Sequence, residues 1–257
     1  MTQARVIASE WVKLRSLRST WYTLAVAVVG MAGLGLLFSW VTESRWATAG
    51  PEERARFDAV GLPLRGMFLA QLAIGVLGVL VVTSEYASGL VRATFAAVPR
   101  RGPVMVAKAV VFSAVVLVAM AASAFTAFFG GQAFLARRHI QTTIGAPGVL
   151  QVVIGTALYL TVVGLLGIAL GWLIRNTAGA IAVVFGLLLV LPVLGAILPA
   201  SWGRHITPYL PSNAGQDLLA VHTQSPDLRP WVGFALFCGY VAAAFIAAQI
   251  LLHRRDA

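Results

Sequence analysis

The sequence predicts an all-α integral membrane protein. Six transmembrane helices are preceded by an N-terminal amphipathic helix, and a short basic helix lies between the second and third spans. Three observations lead there. Hydrophobic residues make up 59% of the 257 residues and charged residues only 11%, with a mean hydropathy of +0.86, far outside the range of a soluble globular domain. The apolar residues gather into six uncharged runs, each near the roughly 20 residues that about 30 Å of hydrocarbon requires. Lysines and arginines fall between those runs and at the two ends, as loop charges of a membrane protein do.

Residues 1–20 precede the first run. On a helical wheel Ile7, Trp11, Leu14, Leu17 and Trp21 share one side, with Arg5, Ser9, Ser16 and Ser19 opposite. Lys13 and Arg15 flank the apolar stripe, where their stems can snorkel. The reading is a helix lying along the membrane surface. Glu10 and Arg18 intrude on its apolar side, which points to a protein partner as well as lipid, and Glu10 can pair with Lys13 one turn on. This polar and basic opening lacks the pattern of a cleavable signal.

The spans are predicted over 21–41, 66–82, 104–129, 149–174, 177–198 and 231–252, the third built on the uninterrupted run from Ala109 to Phe129. Only Arg175 and Asn176 separate the fourth from the fifth, which demands a tight antiparallel hairpin. In the fourth, Gly164, Gly167 and Gly171 put small residues on neighbouring faces, and Gly167 with Gly171 makes a GxxxG pair suited to close helix packing. Pro192 should kink the fifth. Residues 199–230 are too polar to span and form an external loop; Trp202 and Tyr209 suit interfacial depth, and Ser212-Asn213 are placed to cap a short helix through Leu218 and Leu219.

Between the second and third spans lies Glu85 to Arg101, EYASGLVRATFAAVPRR. Leu90, Val91, Thr94, Phe95 and Val98 recur at helical spacing, and the helix should stop before Pro99, because the residue before a proline is pushed out of the α region. Arg100 and Arg101 then sit at the exit, Gly102 is read as a hinge, and Pro103 suits the first turn of the next helix. A solvated basic loop of the positive-inside kind fits the same residues.

An even span count puts both termini on one side. With that side cytoplasmic, 11 basic residues are inside and 8 outside, so both termini are expected in the cytoplasm of a multi-pass cell-membrane protein. The formal charge of +10 is dispersed among loops and ends, which favours anionic lipid headgroups over nucleic acid as its partner. Cys238 stands alone in an apolar run, and His139, His205, His222 and His253 show no ligand spacing, so neither a disulfide nor a metal site is expected.

The runs hold no ionisable residue at mid-depth, where ion-coupled carriers usually keep one, and no glycine-rich loop precedes Lys13 or Lys108 to cradle a phosphate. The energy for any transport should therefore come from another chain, and no enzyme chemistry is expected here.

The segment written as Glu85-Tyr86, Gly89, Arg92, Thr94 and Pro99-Arg100-Arg101 resembles the loop between the second and third spans of permease subunits of bacterial type-2 ABC exporters. The opening SEWVKLRSLRSTWYTL resembles the start of actinobacterial-type members, and LPSNAGQ at Leu210 to Gln216 resembles their last external loop. The resemblance implies that 85–101 is a coupling helix touching a separate ATPase subunit, with Phe95 as apolar anchor and Arg92 and Glu85 positioning it. It implies that 1–20 is an elbow helix, with Glu10, Trp11, Lys13, Arg15 and Arg18 near that ATPase. It further implies that a second permease completes the pathway, and that ATP and Mg belong to the ATPase, no cofactor being held by this chain. Two other classes stay open: a non-transporting membrane scaffold or anchor, and an ion-coupled secondary carrier.

Overall fold

A computed structural model describes residues 3–90, 101–221 and 228–255, and all regular structure among them is helical. The N-terminal helix α1 (Gln3–Ser16) is followed by α2 (Arg18–Arg45), a short α3 (Pro51–Ala55), α4 (Met67–Ala87), α5 (Arg101–Leu135) and α6 (Val149–Ile174). The fifth span is composite: α7 (Thr177–Phe185), a π-helical turn over Gly186–Val190, and α8 (Leu191–Ile197). Then come α9 (Ala200–Ile206), α10 (Pro211–Gln216) and α11 (Pro230–Arg255). Among the described residues six helical stretches are long and apolar enough to cross a membrane: Arg18–Thr48, Leu62–Ala87, Gly102–Arg138, Val149–Ile174, Thr177–Ile197 and Pro230–Leu252. The expected spans all fall within or against these; the helices run further at most ends, because polar residues can continue a helix after the apolar run stops.

The bundle is built around α4 and α6. Their most apolar windows are 67% and 78% buried, against 22% for each of the last two spans. The reason is glycine. A methyl group on Gly167 would overlap the Gly75 carbonyl oxygen, one on Gly78 would overlap the Gly164 carbonyl oxygen, and one on Gly171 would sit 3.0 Å from the Val82 side chain. Backbone meets backbone along this seam, the use expected of small residues where lipid removes the hydrophobic drive between helices. Gly164 also accommodates the ring of Phe112 from α5. The GxxxG pair thus joins α6 to α4, with Gly75 and Gly78 as its counterpart.

The hairpin between the fourth and fifth spans forms as expected. Arg175 takes a left-handed conformation (φ 56°), and the Asn176 side chain caps α7 by accepting from the Gly179 amide at 2.9 Å. At Pro192, where a kink is expected, the fifth span carries a π turn just before the proline; proline cannot donate to the preceding turn, and the backbone widens to absorb the loss.

Two expectations are corrected. Gly102 lies inside the first turn of α5 beside Pro103, so it is helical and no hinge. The short helix after Leu210 starts at Pro211, whose fixed φ suits the first helical position; Ser212 is buried and Asn213 donates instead to the Thr207 carbonyl, so neither is the cap. The face of α1 that is buried against the protein carries Val6, Glu10 and Leu14, and Trp11, Leu17 and Trp21 of the apolar stripe expected at the membrane surface are exposed. Val6 packs with Val104 and Ala107 of α5. The helix covers protein with one stripe and leaves its aromatic stripe outward.

Candidate functional site

The last turns of α4 are where separate parts of the chain converge. Helix α1 ends at Ser16, and Leu17 is extended (φ −86°, ψ 109°), which breaks the chain direction and lets α1 lie back against α5 while α2 descends as the first span. That fold-back carries Glu10 and Lys13 to Glu85 of α4 and Lys108 of α5.

The four side chains form one linked set. Lys108 Nζ donates to Glu10 Oε2 at 2.6 Å, to Glu85 Oε1 at 2.8 Å and, at 3.4 Å, to the Val81 carbonyl, which accounts for all three ammonium protons. Lys13 Nζ donates to Glu10 Oε1 at 2.6 Å and lies 3.3 Å from Glu85 Oε1. Two carboxylates and two ammonium groups leave no net charge. Glu10, Glu85 and Lys108 are buried, and Lys13 is the partly exposed member. Among the described residues Glu85 Oε2 has no hydrogen-bond partner. Burying four charges costs desolvation that only their mutual attraction offsets, so removing one member leaves its partners expensive.

Outside the spans, the charges act on α1 itself. Burial works to raise the pKa of the Glu10 carboxyl, but the neighbouring Lys108 and then Lys13 outweigh it and hold that pKa below 4.5. For Lys13 burial works downward, and the hydrogen bond to Glu10 with the charges of Glu85 and Glu10 prevails, holding it above 10.5.

Beside this cluster, α4 is tied to the α6–α7 hairpin. The Tyr86 ring meets Trp172 edge-on with centroids 5.7 Å apart, and the Arg175 guanidinium stands 5.3 Å from the Tyr86 ring centre. One turn earlier the Thr177 hydroxyl donates to Thr83 at 2.9 Å. Helix α4 then ends at Gly89, whose φ of 72° is a left-handed conformation that glycine adopts without strain. The chain next enters residues 91–100.

The structure therefore distributes the expected site residues in three ways. Glu10, Lys13 and Glu85 are brought together; Glu85 faces inward onto Lys108, so it does not present a surface bond, and any part it takes in coupling runs through α1 and α5. Tyr86 and Gly89 shape the exit of α4. Trp11, Arg15 and Arg18 are exposed on the outer side of the α1–α2 bend, with the Arg15 carbonyl accepting from Trp21 Nε1 at 3.1 Å. Arg92, Thr94, Phe95 and Arg100, with the helix expected there, lie outside the described residues, and of Arg101 the backbone alone is described, as the first residue of α5. Sequence reading missed Lys108 as a partner. The available signal was that the chain's only two lysines, Lys13 and Lys108, both stand in or beside strongly apolar helices, where arginine serves every loop.

A second polar cluster occupies the opposite end of α4. Tyr159, fully buried in α6, donates to Gln71 of α4 at 2.7 Å and accepts from Gln216 at 3.2 Å. Gln216 arrives on α10, which wedges between α6 and α11: Gly215 abuts the rings of Tyr159 and Phe237, and Leu218 packs on Gly155. The expected external loop thus sends 211–219 into the bundle. Beside it a cavity of about 260 Å³ is lined by Asp58, Arg65, Phe68, Val152 and Gln216.

Among the described residues no group of His, Cys, Asp and Glu is placed to hold a metal ion. No protein-family model matches the chain, and no curated protein matches it in sequence.

Proposed function

We propose that this chain is the membrane-spanning permease subunit of an ATP-driven exporter of the type-2 ABC kind, half of a translocation pathway completed by a second permease and driven by a separate ATPase. The observation that carries the reading is the convergence at the last turns of α4. Helix α1, helix α5 and the α6–α7 hairpin are all fastened there, immediately before the basic segment 91–100. A force applied to that segment by a docked protein reaches α4 and α5 directly and α1 through the ion pairs. The glycine seam passes it on to α6, because close-packed backbones move together. The side bearing α1 is then cytoplasmic, and hydrolysis of ATP with its Mg²⁺ occurs on the partner.

The test is reconstitution. Proteoliposomes containing the chain and its ATPase should export only while ATP is cleaved, and Phe95→Asp should abolish co-purification of the ATPase with membrane insertion intact. Cysteines at Thr2 and Ser88 should resist an impermeant thiol reagent in intact cells while one at Ala55 reacts.

A second reading rests on the buried Lys108–Glu10–Glu85 set. Ionisable groups inside a membrane bundle are what proton-coupled carriers retain. Against it, the set pairs two carboxylates with two ammonium groups and lies at the end of the spans. Transport by the chain alone that vanishes when a proton gradient is collapsed would establish the carrier and overturn the exporter.

A further inference from the structure

The bend that joins α1 to α2 gathers two arginines and three aromatic side chains on its outer side. On α1, Trp11 and Arg15 stand one turn apart and both are exposed. On α2, Arg18, Tyr22, Ala25 and Val29 recur four, three and four residues apart, which places them on one face of the helix, and all four are exposed. The two faces are joined across the extended Leu17, because Trp21 Nε1 donates to the Arg15 carbonyl at 3.1 Å. Three residues of chain hold the Arg15 and Arg18 backbones within about 11 Å of each other, so their long side chains can meet over a single phosphate.

Charge and polarity along these faces select the occupant. Neither guanidinium has an ion-pair partner among the described residues. No acidic residue follows Glu10 until Glu43, and Glu10 is buried against Lys13 and Lys108. The α2 face then changes character along its length, from the cation of Arg18 to the ring of Tyr22, 72% exposed, and on to the aliphatic surface of Ala25 and Val29, the latter 68% exposed. Helix α2 opens a candidate span whose most apolar window is only 28% buried, so this face continues into hydrocarbon. Phosphate, glycerol and acyl chain follow one another in the same order in an anionic phospholipid, with arginine at the phosphate and aromatic rings at the glycerol level. A soluble protein would meet the arginines and leave the aliphatic stretch without a partner. A second copy seated on this face by a two-fold axis would set arginine on arginine.

We propose that the outer side of the α1–α2 bend is a binding site for an anionic phospholipid, its phosphate held by Arg15 and Arg18 and its acyl chain lying along Tyr22, Ala25 and Val29. Trp11 and Trp21 flank the headgroup. The bound lipid fixes α1 from outside while the Glu10–Lys108 pair fixes it from within. This stands whether or not the chain is an exporter subunit, since it concerns the outward faces of α1 and α2 and not the segment at the end of α4.

The test uses full-length protein in detergent, stripped of lipid and returned to phosphatidylglycerol or phosphatidylcholine of the same chain length, with retention read by native mass spectrometry. Phosphatidylglycerol should be preferred, and Arg15→Gln with Arg18→Gln should cut the preference by roughly tenfold. Arg45→Gln with Arg56→Gln removes the same charge from exposed positions at the other end of the first span and should leave the preference in place. The location is read by a fluorophore on Ser19→Cys in a Cys238→Ala background: phosphatidylglycerol spin-labelled near its headgroup should quench it more than the equally labelled phosphatidylcholine, and only while Arg15 and Arg18 are present. Equal retention of the two lipids by the unmodified protein, a preference that survives loss of Arg15 and Arg18, or one that falls as far in the Arg45 and Arg56 variant, would overturn the proposal. So would loss of ATPase co-purification in the Arg15 and Arg18 variant with its lipid preference unchanged, which would make this face a protein contact.

Discussion

The two ends of α4 are held by different physics. At the Glu85 end, four charges bind α1 to α4 and α5; at the Gln71 end, neutral groups tie α10 to α4 and α6. Both bring a segment from outside the spans against the bundle, α1 at one end and the 211–219 segment at the other. Both bury polar groups in an apolar surrounding where each must find a partner. What differs is the consequence of losing one. A charge stripped of its partner in a medium of low dielectric is far costlier than an unpaired amide or phenol. The charged cluster sits next to the segment on which coupling is proposed, where a response to an outside force is useful. The neutral cluster sits where α10 needs only to stay in place.

The largest expected effect is at the charged end. Lys108→Met leaves Glu10 and Glu85 facing each other with only Lys13 between them, and should destabilise the protein by about 3–5 kcal/mol. It should be read as a lowered thermal midpoint with earlier protease cleavage of α1. A variant as stable as the parent would show that the pairs contribute nothing.

Next comes the seam that both ends share. Gly167→Leu drives a side chain into the Gly75 backbone and cannot be accommodated by a rotamer change. The cost should be about 1–3 kcal/mol or more, with α4 and α6 prised apart and both clusters loosened together. Hydrogen exchange that rises at only one end would contradict the rigid coupling along α4.

At the neutral end Tyr159→Phe removes the hydroxyl shared by Gln71 and Gln216 and keeps the ring against Phe237. About 1–3 kcal/mol should be lost, with the exchange of α10 amides raised and α1 unaffected.

The gentlest perturbation of the charged end is pH. The folded pKa of Glu10 lies below its ordinary 4.5, so its contribution is present above 4.5 and is lost as pH falls through the lower folded value. That of Lys13 is raised above 10.5, so its contribution is complete below 10.5 and is lost as pH rises through the folded value. Docking of α1, followed by a fluorophore on an added cysteine at Ser9, should be flat between those limits and fall off beyond them on either side. Release of α1 near neutrality would mean that the ion pairs do not hold it.

Much of this was legible from residues alone. Six spans follow from apolar runs, because crossing hydrocarbon is a requirement on each segment by itself and hydropathy adds along a short window. The same is true of the Arg175-Asn176 hairpin, which no longer loop can replace, and of the disturbance at Pro192, where a missing donor is a property of one residue. The GxxxG pair announced close packing of α6 in the same way. It did not say that Gly75 and Gly78 would be opposite.

Tertiary structure alone decided the rest. A helical wheel ranks the faces of α1 by hydrophobicity and picks out the stripe of Trp11, Leu17 and Trp21 for the membrane surface; that Val6, Glu10 and Leu14 pack against the bundle follows from what lies across from Glu10, which is Lys108, 98 residues away. Gln216 is polar in a polar loop until Tyr159 stands opposite it, 57 residues earlier. A local sum can measure whether a segment avoids water. Whether a buried charge or amide is tolerable depends on its partner, and the partner is supplied by the packing of helices far apart in the chain, which no window along the sequence contains.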